Sequence, residues 1–370
     1  MNPFVYNQIA EGSRFYDRKE ETQEIIRWLE NGTNLVLYGP RHYGKTSLVY
    51  KVINYFEEKD YICIYFNFMN VYSLENFISL YSKALARKQQ PLQRFAKFLQ
   101  NGVKSIRPVL SIDPNTGAEE LSIDFDNSHI SVLTLDDMLD LTEKLAGKDN
   151  RVFVFFDEFQ EAAKIPNINF EGMLRSKIQF QDRERIRYLF FGSKTHLMQQ
   201  AFMNNRRPFY QSARPVVLGL PPENETVEYL LKVFSKEDIS ISKECAEYIM
   251  QKAGNIPYYV QMLGSEIWQY MMPEQKTVTK EIINASVKIA VSHNSDTYEE
   301  IIYNVSEKAK DMLLLMANDK KTSLPDEERK EIELELRDKG ITEFTDMQYY
   351  IADPFFRLYI KEIINGNGLI

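Results

Sequence analysis

The chain has 370 residues, 44% of them hydrophobic and 13% aromatic, with a formal net charge of -8. That length predicts two or three compact units with ample cores, and the acidic balance excludes a protein whose whole surface attracts nucleic acid. No uncharged apolar run approaches the ~20 residues that cross a bilayer, and Cys63 and Cys245 form no pair motif, so a reduced, cytoplasmic protein without a membrane span is expected.

In chain order, residues 1–10 lack a basic cluster followed by an apolar run, so no secretory signal is expected. Phe15-Tyr16-Asp17-Arg18-Lys19-Glu20 opens the first helix, with Asp17 as cap and Glu20 reaching back. An apolar strand over 34–38 runs into Gly39-Pro40-Arg41-His42-Tyr43-Gly44-Lys45-Thr46, and an amphipathic helix over 47–57 follows. Next come a strand over 61–66 and helices within 74–100. Two alternating runs, 109–113 and 120–125, flank Pro114-Asn115-Thr116-Gly117 and predict a β-hairpin, an insertion at about 108–127. A helix over 134–145 leads to the apolar run 151–156 and Asp157-Glu158. Further strands fall at 188–193 and 215–219. Strands alternating with helices predict a parallel sheet covered by helices.

Composition changes at Pro221-Pro222, and the pattern is helical to about 293, with turns at Gly254-Asn255-Ile256-Pro257 and Pro273. Residues 298–370 begin with two or three helices. A short strand over 345–351, a break at Asp353-Pro354 and an aromatic helix over 355–363 then fit a winged-helix module. The expected domains are 1–221, 222–295 and 296–370.

The loop 39–46 matches G-x-x-x-x-G-K-[ST] between a strand and a helix, the setting that makes the pattern a phosphate-binding loop. Gly39 and Gly44 let successive N–H groups face phosphate oxygens, and the helix N-terminus adds positive potential. Lys45 reaches the β- and γ-phosphates, and the Thr46 hydroxyl ligates Mg2+. A glycine turn with a chance Lys-Thr is the plainer alternative. Asp157 and Glu158 end a buried strand at the edge where open α/β sheets bind ligands. Asp157 is the candidate Mg2+ organiser and Glu158 the candidate base that polarises water; a solvated acidic turn would look the same locally. Ser193, with Thr195 second, ends the next strand where it can touch the γ-phosphate. Arg207, in the basic cluster Arg206-Arg207-Pro208-Phe209-Tyr210, is the candidate trans-acting arginine. Phe15 or Tyr16 could pack on an adenine. The four histidines show no metal spacing.

Together these residues resemble the archaeal-type ATPase family, a signal-transduction branch of the AAA+ P-loop NTPases. The resemblance rests on 15–20, 39–46, Phe155-Phe156-Asp157-Glu158, Phe191-Gly192-Ser193, Pro208-Phe209-Tyr210, 254–257 and 350–355. It implies an α/β fold of the AAA+/ASCE type, followed by an all-α lid and a winged helix, with ATP or ADP and Mg2+ as ligands. The cofactor-binding set is then Pro40, Arg41, His42, Tyr43 and Ser47 with the loop residues above, Phe15, Tyr16 and the lid's Pro257. Gln211-Ser212 stand where family members often carry Gly-Arg, which moves the finger to Arg207. The expected function is a slow Mg-dependent ATPase working as a nucleotide-driven switch that signals to a protein partner, with self-association as the other expected partner. The alternatives are an ATP-regulated DNA-binding protein and a non-hydrolysing scaffold. Residues 298–370 carry sixteen Asp/Glu against ten Lys/Arg, which disfavours DNA.

Overall fold

The computed structural model describes residues 2–8, 18–87, 91–112, 117–125, 132–147, 150–271, 276–345 and 348–364. Phe15, Tyr16 and Asp17 of the predicted helix opening, and the turn residues 113–116, lie outside them. The chain forms two compact units. A sheet unit comprises Lys19–Gly39 and Leu48–Leu218; a helical unit comprises Met1–Arg18, Pro40–Ser47 and Gly219–Ile370.

The sheet unit holds the expected parallel sheet. Its strands are β1 (Leu35–Tyr38), β2 (Ile62–Asn67), β5 (Val152–Asp157), β6 (Ile186–Gly192) and β7 (Arg214–Val217), in the order β2-β5-β6-β1-β7. All four pairings are parallel. Parallel sheets bury both faces, so strands read as continuous apolar runs rather than alternations. Strand β5 shows this: Phe153 stacks on Phe56 at 3.8 Å on one side, while Phe156 meets Phe66, Phe68, Tyr81, Phe159 and Phe190 on the other. Each such ring contributes about 1.5–3 kcal/mol by leaving water. Helix α1 (Lys19–Glu30) turns Ile25, Ile26 and Leu29 inward and carries Glu20 and Glu21 in its first turn, where the helix dipole favours them.

The helices α3 (Leu74–Ala86), α4 (Leu92–Gly102) and α5 (Val132–Lys144) follow the apolar periodicity, and Ser73 caps α3 by accepting from Asn76 N–H. The predicted hairpin forms from β3 (Ile106–Ile112) and β4 (Glu119–Phe125), antiparallel and separate from the main sheet. Helices α6 (Phe170–Ile178) and α7 (Thr195–Met203) complete the unit.

In the helical unit, α8 (Glu223–Lys236), α9 (Lys243–Lys252), α10 (Pro257–Tyr270) and α11 (Lys280–His293) fill the expected all-α stretch, with α9 capped by Ser242 and α11 by Thr279. Gly254 (φ +62°) and Asn255 (φ 55°) are consecutive left-handed residues between α9 and α10. The Asn255 side chain holds that corner, donating to the Pro221 carbonyl and accepting from the Thr226 hydroxyl, both at 2.7 Å. Then come α12 (Ser295–Tyr303), α13 (Glu307–Ala317), α14 (Asp326–Asp338) and α15 (Pro354–Ile364). Between α14 and α15 the structure departs from the single strand expected over 345–351. Two strands pair antiparallel, β8 (Thr342–Thr345) and β9 (Gln348–Ile351). The residue pattern explains the difference. Thr342 and Ile351 are an opposed buried pair, and the next opposed pair is Glu343 with Tyr350, so an acidic residue masks the strand pattern of β8.

Candidate functional site

The phosphate loop starts where β1 ends. A Cβ on Gly39 would fall 2.5 Å from the Leu218 carbonyl oxygen, so only glycine permits that approach. Within the helical unit, His42 (φ 68°) and Gly44 (φ +85°) both adopt the left-handed conformation, which turns nearby N–H groups into an anion-binding concavity just before α2 (Lys45–Glu57). Lys45 is only 7% exposed and donates to the Pro40 carbonyl at 2.7 Å, while Thr46 and Ser47 occupy the first turn of α2.

The loop is held from several sides. The Arg18 guanidinium donates to the carbonyls of Tyr43 (3.2 Å) and Gly219 (2.8 Å). Pro257 sits at the start of α10, whose first N–H groups have no partner inside the helix. One of them, on Tyr258, donates to the His42 carbonyl at 3.3 Å, and the Tyr258 and Tyr259 rings lie 4.3 and 5.4 Å from the imidazole. Partial desolvation there, with Arg41 and Lys45 adding positive charge, pulls the His42 pKa down to about 4. The Tyr43 hydroxyl is hydrogen-bonded to that of Tyr350 at 3.1 Å.

The second cluster belongs to the sheet unit, at the C-terminal ends of β2, β5 and β6. Asn67 stands directly opposite Asp157, and Tyr65 lies two residues back on the same strand. Asp157 Oδ2 accepts from the Tyr65 hydroxyl (2.5 Å) and Asn67 Nδ2 (3.2 Å), and Oδ1 accepts from Glu158 N–H (2.8 Å). Burial, with the Asp157 charge, holds the Tyr65 hydroxyl protonated far above its ordinary range. Glu158 is left-handed (φ 50°), and its Oε2 accepts from Ser193 Oγ at 2.9 Å and from the Gln160 amide. The candidate base and the strand-end serine are therefore joined. Thr195, the second choice, has a buried hydroxyl with no hydrogen-bond partner. No sequence motif marks Tyr65, Asn67 or Gln160; the register of β2 against Asp157 is the signal that finds the first two.

Among the described residues no group of three or more His, Cys, Asp or Glu is placed to hold a metal. Mg2+ binds through one or two protein oxygens plus phosphates and needs no such group. The Thr46 hydroxyl in the helical unit and the Asp157 carboxylate in the sheet unit are each, taken singly, hard oxygen donors of the type Mg2+ takes.

Arg207 is engaged within its own unit. Its Nη2 is 2.5 Å from Glu171, a carboxylate only 7% exposed, so a trans-acting role would require breaking a half-buried ion pair. Of the other loop arginines, Arg206 is exposed and Arg214 lies 4.0 Å over the Trp28 ring.

The pattern of an ATPase domain found predominantly in Archaea matches residues 15–263. An ATP-binding protein of Methanocaldococcus jannaschii is 25% identical over 178 residues, 46% of each chain, so this chain spans about half the length of that relative. The Walker-type ATPase of Pyrococcus abyssi has the same fold, with TM-score 0.66 and 18% identity over 97% of this chain and 99% of its own. The ORC2 protein of Aeropyrum pernix, in its ADPNP and ADP complexes, is similar at TM-score 0.55 and 15% identity, covering 99% and 98%. The five-stranded parallel sheet is thus that of a P-loop NTPase, and the chain belongs to the family of ATPase domains found predominantly in Archaea.

Proposed function

We propose that this protein is a slow, Mg-dependent ATPase working as a nucleotide-driven switch, read out through a C-terminal winged helix (296–370) by a protein partner. The observation that carries this reading is the company of the phosphate loop: one loop residue meets the lid helix α10 through Tyr258, and the next meets β9 through Tyr350. A ligand in the loop must change those contacts to differ in affinity between states, and differential affinity is what a population shift requires.

In this reading Lys45 binds phosphate, Thr46 and Asp157 hold Mg2+, and Glu158 takes the proton of the attacking water. Mg2+ would supply charge neutralisation at the phosphates. Ser193 and Gln160 orient the Glu158 carboxylate by donating to one of its oxygens. Lys45→Ala should abolish nucleotide binding, and Glu158→Gln should bind ATP and not turn it over. Equal hydrolysis by wild type and Glu158→Gln refutes the assignment of the base.

The DNA-binding alternative is disfavoured by α14, whose first turn is Asp326, Glu327 and Glu328. A groove-reading helix needs cations aimed at phosphates. Duplex DNA retained in a salt-dependent manner, and lost on deleting residues after 298, would favour it instead. Single-turnover hydrolysis with and without candidate partners separates the switch from a scaffold that holds nucleotide.

A further inference from the structure

Hairpin β8–β9 sends two side chains from one face to the phosphate loop. Glu343 and Tyr350 are directly opposed across the hairpin, so they project together. The Tyr350 hydroxyl bonds that of Tyr43. The Glu343 carboxylate accepts from the backbone N–H of Arg41 and lies in the field of the Arg41 guanidinium and the Lys45 ammonium. The backbone leading into β8 is close as well: a Cβ on Gly340 would be 3.8 Å from Arg41 Nη1.

These partners are the ones a nucleotide phosphate uses: a loop N–H and the lysine of the G-K-T motif. Burial raises the Glu343 carboxyl pKa, while the two cations favour its charged form. A carboxylate and a phosphate cannot share one cationic cradle without like-charge repulsion. We propose that Glu343 is a built-in anion that competes with nucleotide phosphate for the loop, so that binding ATP displaces β8–β9 and signals occupancy to the C-terminal segment. Tyr350 is the positioning residue that keeps the hairpin in register with Tyr43. This rests on reading 39–46 as the nucleotide loop.

The test uses the full chain and measures Mg·ATP affinity by titration calorimetry for wild type, Glu343→Gln, Tyr350→Phe and Lys45→Ala. Glu343→Gln keeps size and hydrogen bonding and removes the charge. It should tighten ATP binding about tenfold or more, since apparent affinity rises as the competent fraction of loops rises. Tyr350→Phe should shift affinity in the same direction by less. Amide exchange across 342–351 should accelerate in wild type when ATP is added, and this readout needs no variant.

Unchanged or weaker binding by Glu343→Gln, with Lys45→Ala inactive, overturns the competition and leaves the nucleotide loop intact. Binding by Glu343→Gln where wild type binds poorly supports it. No binding by either protein overturns both readings, and unchanged exchange at 342–351 on ATP addition overturns the displacement.

Discussion

Tyr65→Phe removes one hydroxyl and no carbon, so it isolates a single interaction at the candidate metal-organising carboxylate. The Tyr65 hydroxyl donates to Asp157 Oδ2 at 2.5 Å, and Asp157 is 6% exposed, which leaves bulk water little room to replace it. A hydrogen bond to a charged group contributes about 1.5–3 kcal/mol. Asn67 still donates to the same oxygen at 3.2 Å, which puts the loss near the lower end, about 1.5–2 kcal/mol. For a unit of this size each kcal/mol moves Tm by about 2–4 °C, so the midpoint should fall by about 3–8 °C. Partners that orient a metal-binding side chain are worth about 10–100-fold in metal affinity or activity. The Mg2+ concentration giving half-maximal ATP hydrolysis should therefore rise about tenfold or more. Calorimetric melting and a Mg2+ titration of hydrolysis measure the two effects. Tyr61→Phe is the control, since that ring packs on Phe56 and Phe153 away from Asp157. A Tyr65→Phe protein with wild-type melting and wild-type Mg2+ dependence, or one matched by the control, refutes the reasoning.

Other expectations are as direct. Arg207→Ala leaves Glu171 buried without its cation, and because Arg207 is 35% exposed on its side chain the cost is discounted to about 1–3 kcal/mol; Arg206→Ala should melt like wild type. If Arg207→Ala lowers turnover with no loss of stability, its role is trans-acting after all. Phe156→Ala empties the centre of the aromatic core and should cost about 3–5 kcal/mol in urea unfolding. His42 is held neutral when folded, with its pKa at about 4 against 6.5 unfolded, so the unfolded chain binds the proton first as pH falls. Stability should drop between about pH 6.5 and 4 in wild type and less in His42→Asn, a residue that tolerates the same left-handed backbone. The two melting curves should run parallel above pH 7.

What could be read from the residues was local. The G-K-T loop, the run ending in Asp157-Glu158 and the helical stretch after Pro222 each declare themselves within about ten positions, because periodicity and turn chemistry act at that range. The strand-end placement of Ser193 was legible too, and it does meet Glu158. What escaped depends on partners distant in the chain. Arg207 reads as a free cation until Glu171, 36 residues away, is seen to hold it. Tyr43 and Tyr350 are 307 residues apart, and no pattern in either segment announces the other. Strand β8 was hidden because Glu343 spends its charge on the loop rather than on solvent, so its alternation does not look amphipathic.

The chain has two tryptophans, and each compact unit contains one. Trp28 lies beneath the Arg214 guanidinium, whereas Trp268 donates its indole N–H to Glu237 at 3.3 Å. Replacing either with phenylalanine turns intrinsic fluorescence into a private channel for the other half of the molecule. Ligand titrations and chemical melts could then be followed one half at a time, with no dye attached.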